Sequence, residues 1–143
     1  MSDQETRVPV SPAAMRALYN KADLAGMDAG RAAQPVGMLV GTPKDLMGSL
    51  LGKDTGFDPT QPVYAVPEGP CGFAWINVRP GNSRFANWLK RQGIGSTDSY
   101  AGGVTVSVRA FGQSMTRKEA YANAFAAVLR DAGINAYASS RMD

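Results

Sequence analysis

The chain has 143 residues, the size of one ordinary domain and too short for two independent cores plus a linker. With 44% hydrophobic and only 19% charged residues it carries enough apolar surface to build a core, which excludes disorder for the bulk of the chain. It has no histidine and a single cysteine, Cys71, so imidazole bases, Ser-His-Asp and Cys-His nucleophile systems, zinc clusters and internal disulfides are excluded.

Residues 1–10 are polar and mixed in charge and read as a flexible N-terminus, with 11–143 as a single domain. Ser11-Pro12 is a cap followed by proline at the first helical position, which predicts a helix to about Ala33. Its apolar stripe is Met15, Leu18, Tyr19, Ala22, Ala25, Ala29 and Ala33; from Ala22 onward it consists of small residues, with Gly26 and Gly30 among them, which predicts close packing against another element. Val36 to Val40 reads as a buried strand, Thr42-Pro43 opens a short helix over 43–51, and 52–62 is rich in turn residues and reads as a mobile loop.

Two strands follow, 63–66 and 72–78, and the five residues between them predict a hairpin. Along the second strand Phe73, Trp75 and Asn77 alternate with Ala74, Ile76 and Val78. Asn82 or Ser83 caps a helix to about Gln92 that buries Phe85, Trp88 and Leu89, with Gly93 as its stop. Residues 93–103 read as a loop, and Val104 to Val108 as a half-exposed strand with Thr105, Ser107 and Arg109 outward. Thr116 and Glu119 stand in capping-box register at the head of an amphipathic helix that ends at Gly133, and Ile134 to Ser139 form a last alternating strand. The expected fold is α+β, a mixed sheet of about five strands with helices packed mainly on one face.

Familiar motifs fail on inspection. Gly48 to Asp54 resembles a phosphate loop but has the wrong glycine spacing and places Asp54 where the metal-binding hydroxyl belongs; Gly93-Ile94-Gly95 is a fragment of a dinucleotide fingerprint without its third glycine. Asp98, Glu119, Asp131 and Asp143 form no paired-carboxylate spacing. No metal or cofactor is therefore expected, and an enzyme whose chemistry uses Arg, Tyr and carboxylates stands only as the last-ranked alternative.

Charge is placed unevenly. Residues 71–143 hold nine Lys/Arg against four Asp/Glu, whereas 1–70 hold six against eight, so the C-terminal half is the basic one and invites nucleic acid or an acidic protein surface. The residues expected to make that contact are Trp75, Arg79, Asn82, Arg84, Arg91, Arg109, Arg117, Lys118 and Arg141, because arginine offers bidentate contacts to phosphate or carboxylate and an aromatic ring offers a stacking plane. Helical spacing from Phe85 assigns Trp88 to the core instead.

The segment Cys71-Gly-Phe-Ala-Trp-Ile-Asn-Val-Arg-Pro-Gly-Asn-Ser-Arg-Phe-Ala-Asn-Trp-Leu, with Gly112-Gln-Ser-Met-Thr-Arg-Lys-Glu-Ala-Tyr and Ala132-Gly-Ile-Asn-Ala-Tyr-Ala, resembles small proteins of unassigned function encoded by tailed bacteriophages. That resemblance covers residues 71–143, transfers no catalytic residues, and implies a phage setting. The leading expectation is a non-catalytic domain that contacts nucleic acid, or a complex that handles it, through the basic half. A virion structural or assembly protein, with self-association or virion subunits as partners, and an inhibitor of a host defence or transcription enzyme stand as alternatives. No targeting or membrane segment is visible, since no apolar run approaches about 18 residues; a cytoplasmic location is expected, the host cytoplasm if the chain is phage-encoded, with the virion as the other option.

Overall fold

The structure, a computed structural model, describes residues 8–35, 37–40, 56, 60, 64–66 and 68–143. In chain order the elements are α1 (Pro12–Ala32), β1 (Met38–Val40), β2 (Tyr64–Val66), β3 (Gly72–Arg79), α2 (Arg84–Arg91), β4 (Ser96–Thr97), β5 (Val104–Ser107), α3 (Met115–Asp131) and β6 (Asn135–Met142). The short helix expected over 43–51, residues 1–7 of the expected flexible N-terminus, and the expected mobile loop over 52–62 apart from Gly56 and Thr60 lie outside the described residues.

The protein is α+β. Its main sheet has four strands in the order β4-β5-β3-β6, all neighbours antiparallel, and β1 and β2 form a separate two-stranded sheet. From β3 onward the chain runs β-α-β-β-α-β, and each helical crossover skips one strand: α2 carries the chain from β3 past the place of β5 to β4, and α3 carries it from β5 past β3 to β6. That is the split β-α-β arrangement. It corrects three expectations. The main sheet has four strands among the described residues, not about five. The sheet is not mixed, because the strand joined by each crossover is not the nearest neighbour. Nor does 63–66 pair with 72–78: both edges of β3 are taken by β5 and β6, and Tyr64–Val66 pairs with Met38–Val40 instead.

Local signals set the helix ends. Ser11 accepts a hydrogen bond from the Ala14 amide at 3.1 Å with Pro12 behind it, and Ser83 accepts from the Ala86 amide at 3.2 Å. α2 ends at Gly93, whose φ of +73° no L side chain adopts cheaply. For α3 the cap is Ser114, which accepts from the Arg117 amide at 3.3 Å, two residues before the capping box read from Thr116. A second reason for the early start is that the Met115 amide donates to the Pro70 carbonyl, tying the helix to the entrance of β3. The last strand also runs further than its alternation suggested, because Ser140 to Met142 stay paired with Gly72 to Ala74. Within the expected 93–103 loop, Ser96 and Thr97 add a short strand to the edge of β5.

One set of strand positions enters the core: Ala74, Ile76 and Val78 of β3, Val104 and Val106 of β5 with Val108 just beyond it, and Ala136 of β6. They meet Phe85, Trp88 and Leu89 of α2 and Tyr121, Phe125 and Leu129 of α3, so Trp88 is a core residue as its spacing required. The most extensive packing between two elements joins α1 to α3. There the small-residue half of α1 works by absence: Gly26 and Gly30 are buried, and a Cβ on Gly26 would stand 2.6 Å from the Tyr121 ring, while one on Gly30 would overlap the Phe111 ring. Phe111 reaches that notch from a left-handed backbone (φ +68°). Gly26→Ala gains up to about 1 kcal/mol of helix propensity but meets a ring with no room to give, an overpacking cost of about 1–3 kcal/mol. The expected net result is a lower midpoint in urea unfolding for Gly26→Ala and for Gly30→Ala.

Candidate functional site

Because antiparallel partners point to the same side, the alternation that sends Ala74, Ile76 and Val78 into the core sends Phe73, Trp75, Asn77 and Arg79 to the opposite face of the sheet. In register beside them lie Arg141, Ser139, Tyr137 and Asn135 of β6, and Ser107 and Thr105 of β5. Phe73 is 42% exposed, Trp75 and Tyr137 are half-buried, and Arg141 is exposed. No in-register position on this face holds a carboxylate.

Cations and rings are interleaved. The Arg141 guanidinium and the Lys118 ammonium each lie 5.6 Å from the Phe73 ring centre, and the Arg79 guanidinium lies 5.2 Å from that of Tyr137. These separations are within the range of cation–π attraction. Arg79 is held still by two hydrogen bonds, Nε to Asn77 Oδ1 at 2.9 Å and Nη2 to the Ala101 carbonyl at 2.5 Å. Asn77 is 2% exposed, and its Nδ2 donates to the Gly102 carbonyl at 2.9 Å. Through these two residues the sheet face grips the β4–β5 turn.

Asp98 braces the same turn from within. Its Oδ1 accepts from the Tyr100 and Ala101 amides at 2.9 Å each, and its Oδ2 accepts from the Thr105 hydroxyl at 3.1 Å. The Ala101 amide first, then the Tyr100 amide and the Thr105 hydroxyl, hold its carboxyl below the usual carboxylate range. Tyr100 stands at the tip, fully exposed.

The nine residues read from the sequence separate into groups. Trp75, Arg79 and Arg141 share the sheet face, and Lys118, buried at the start of α3, joins them through Phe73. Asn82 lies before α2 and Arg84 and Arg91 are exposed on it, a helix whose buried residues enter the core on the other side of β3. Arg117 is committed elsewhere: its guanidinium donates to Glu68 at 2.8 Å and to the Gly30 and Arg31 carbonyls at 2.9 and 3.0 Å, closing the C-terminal end of α1. Arg109 lines a cavity beside Tyr19. Phe73 and Tyr137 stand outside that set, although the Phe73-Trp75-Asn77 alternation already puts Phe73 on the face.

Among the described residues no group of three His, Cys, Asp or Glu could hold a metal ion. No helix there is long and apolar enough to cross a membrane. No family model, curated protein or solved structure matches the chain with significant similarity.

Asn77→Ala leaves the Gly102 carbonyl and one Arg79 donor without their partner and is expected to cost about 1–3 kcal/mol in denaturant unfolding. Asp98 supplies a pH test. Its folded pKa lies below the unfolded value of about 3.9, so the stability it contributes is complete above that value and is lost as pH falls through the folded one. Asp98→Ala should therefore be less stable than the parent at neutral pH, with the gap closing as pH falls below the unfolded value of about 3.9; a gap of constant size as the carboxylate is protonated contradicts the assignment.

Proposed function

We propose that this protein is a non-catalytic binding domain that takes single-stranded nucleic acid on the sheet face of β3 and β6. In this reading the helices cover one face only and the opposite face is the binding surface. Phe73, Trp75 and Tyr137 supply planes on which unpaired bases stack, and Arg141 and Arg79, with Lys118 behind Phe73, supply positive charge for the backbone between them.

The observation that carries the reading is the aromatic and cationic composition of the β3 and β6 positions of one face, with the Asp98 carboxylate at its β5 edge beside Thr105, in a chain whose C-terminal half has an excess of basic residues. Four-stranded sheets with aromatic residues on their open face bind unpaired bases in this manner. The fold alone does not assign the activity, because the same architecture hosts many unrelated ones; the side chains on the face do. A duplex fits less well, since its bases are stacked on each other and leave no ring free for Trp75. The resemblance of residues 71–143 to small tailed-phage proteins supports a setting in the host cytoplasm, where single strands arise during replication and transcription.

Fluorescence anisotropy with a labelled single-stranded oligonucleotide tests this. Binding should weaken as salt rises. Trp75→Ala should lower affinity by roughly 5- to 150-fold, the worth of one base–ring stack. Arg141→Ala should make the log–log salt slope shallower by about 0.7, one phosphate contact on a single strand. The double variant Arg84→Ala/Arg91→Ala, on α2, should bind as the parent does. Absence of binding at low salt, or affinity that ignores both Trp75 and Arg141, overturns the reading.

A further inference from the structure

On the helix side of the sheet a cavity of about 470 Å³ lies among α1, α3, the turn after α2 and the end of β5. This is a volume that holds a small molecule. Its polar lining includes Tyr19 and Asp23 of α1, Tyr121 of α3 and Arg109, with Ile94 among its apolar walls. Tyr121 Oη donates to Asp23 Oδ1 at 2.5 Å, which fixes the carboxylate and leaves Oδ2 without a donor among the described residues. Arg109 is exposed and forms no ion pair or side-chain hydrogen bond with any described residue. Asp23 and Arg109 thus line one cavity with opposite charges and do not pair with each other.

Tyr19 lies within the field of both. Burial first, and then Asp23, raise its pKa, while Arg16 and Arg109 oppose them. Burial, followed by the hydrogen bond to Asp23, also raises that of Tyr121. Both rings therefore stay neutral phenols, able to donate and to accept.

We propose that this cavity is a second binding site, for a small zwitterion of the α-amino-acid class, with the ligand ammonium on Asp23 and the ligand carboxylate on Arg109. Charge complementarity selects a zwitterion. A phosphate or other polyanion would meet the Asp23 carboxylate, and a simple cation would meet Arg109; only a molecule carrying both signs satisfies both groups. Arginine is suited to the carboxylate end because its planar fork matches two oxygens. Ile94 bounds the cavity with an apolar wall against which a ligand side chain can rest. The site uses none of the aromatic and cationic side chains of the sheet face and stands independently of the nucleic-acid reading.

Isothermal calorimetry of the full chain against a panel of free α-amino acids at millimolar concentration tests it. At least one should bind, and its N-acetyl and carboxamide forms, which remove one charge each, should bind about tenfold or more weakly. Arg109→Gln, at an exposed position, should cause a similar loss without changing the melting temperature. Asp23→Asn also removes the partner of Tyr121, so its binding is read only after circular dichroism shows a native fold. No heat with any amino acid, equal binding of the N-acetyl form, or full affinity in Arg109→Gln overturns the proposal.

Discussion

Strand β3 is the constraint on which the molecule rests. Hydrogen-bonded to β5 along one edge and to β6 along the other, it has no freedom of register, and its strict alternation divides the protein into two chemistries. Ala74, Ile76 and Val78 go to the core, and Phe73, Trp75, Asn77 and Arg79 go to the opposite face. A slip of one residue would bury an arginine and a tryptophan and expose three core residues, an exchange no local rearrangement could offset. The core and the opposite face are fixed by a single choice of register, so that face is as well defined as the core.

The helices show what that core demanded of the rest of the chain. Tyr121 and Phe111 are large, and α1 accommodates them by offering Gly26 and Gly30 rather than by standing further away. The close approach also places Asp23 of α1 within hydrogen-bond reach of Tyr121 of α3, and Arg117 of α3 within reach of the Gly30 and Arg31 carbonyls. One packing decision, two glycines on α1, thereby closes the C-terminal end of that helix and lines one wall of the cavity.

What was legible in the sequence follows the range of the physics involved. Ser11-Pro12, Ser83 with Gly93, and the Val104-Val106-Val108 alternation act within a few residues, and each element they announced is present. The choice between two tryptophans was also local, since helical spacing buries Trp88 beside Phe85 and strand alternation leaves Trp75 on a face. Pairing was not legible, because nothing near Gly72–Arg79 says that Asn135–Met142 will lie beside it. The same holds for the basic residues. Arg117 reads like any surface arginine until the end of α1 is brought to it, and Tyr137 becomes a partner for Arg79 only once β6 is laid along β3. The two-residue misplacement of the α3 cap has a similar origin: Ser114 and Thr116 are both capable caps, and the tie from the Met115 amide to Pro70, a tertiary contact, decides between them.

The turn between β4 and β5 is ordered by the protein itself. Asn77 and Arg79 hold the carbonyls of Gly102 and Ala101 from the sheet, and Asp98 holds the amides of Tyr100 and Ala101 from within the turn. The ring at its tip is thus presented to solvent on a backbone whose conformational entropy was already lost when the chain folded. A molecule arriving at Tyr100 meets a preorganised surface, and its affinity there is set by the contact made rather than by the cost of ordering a loop.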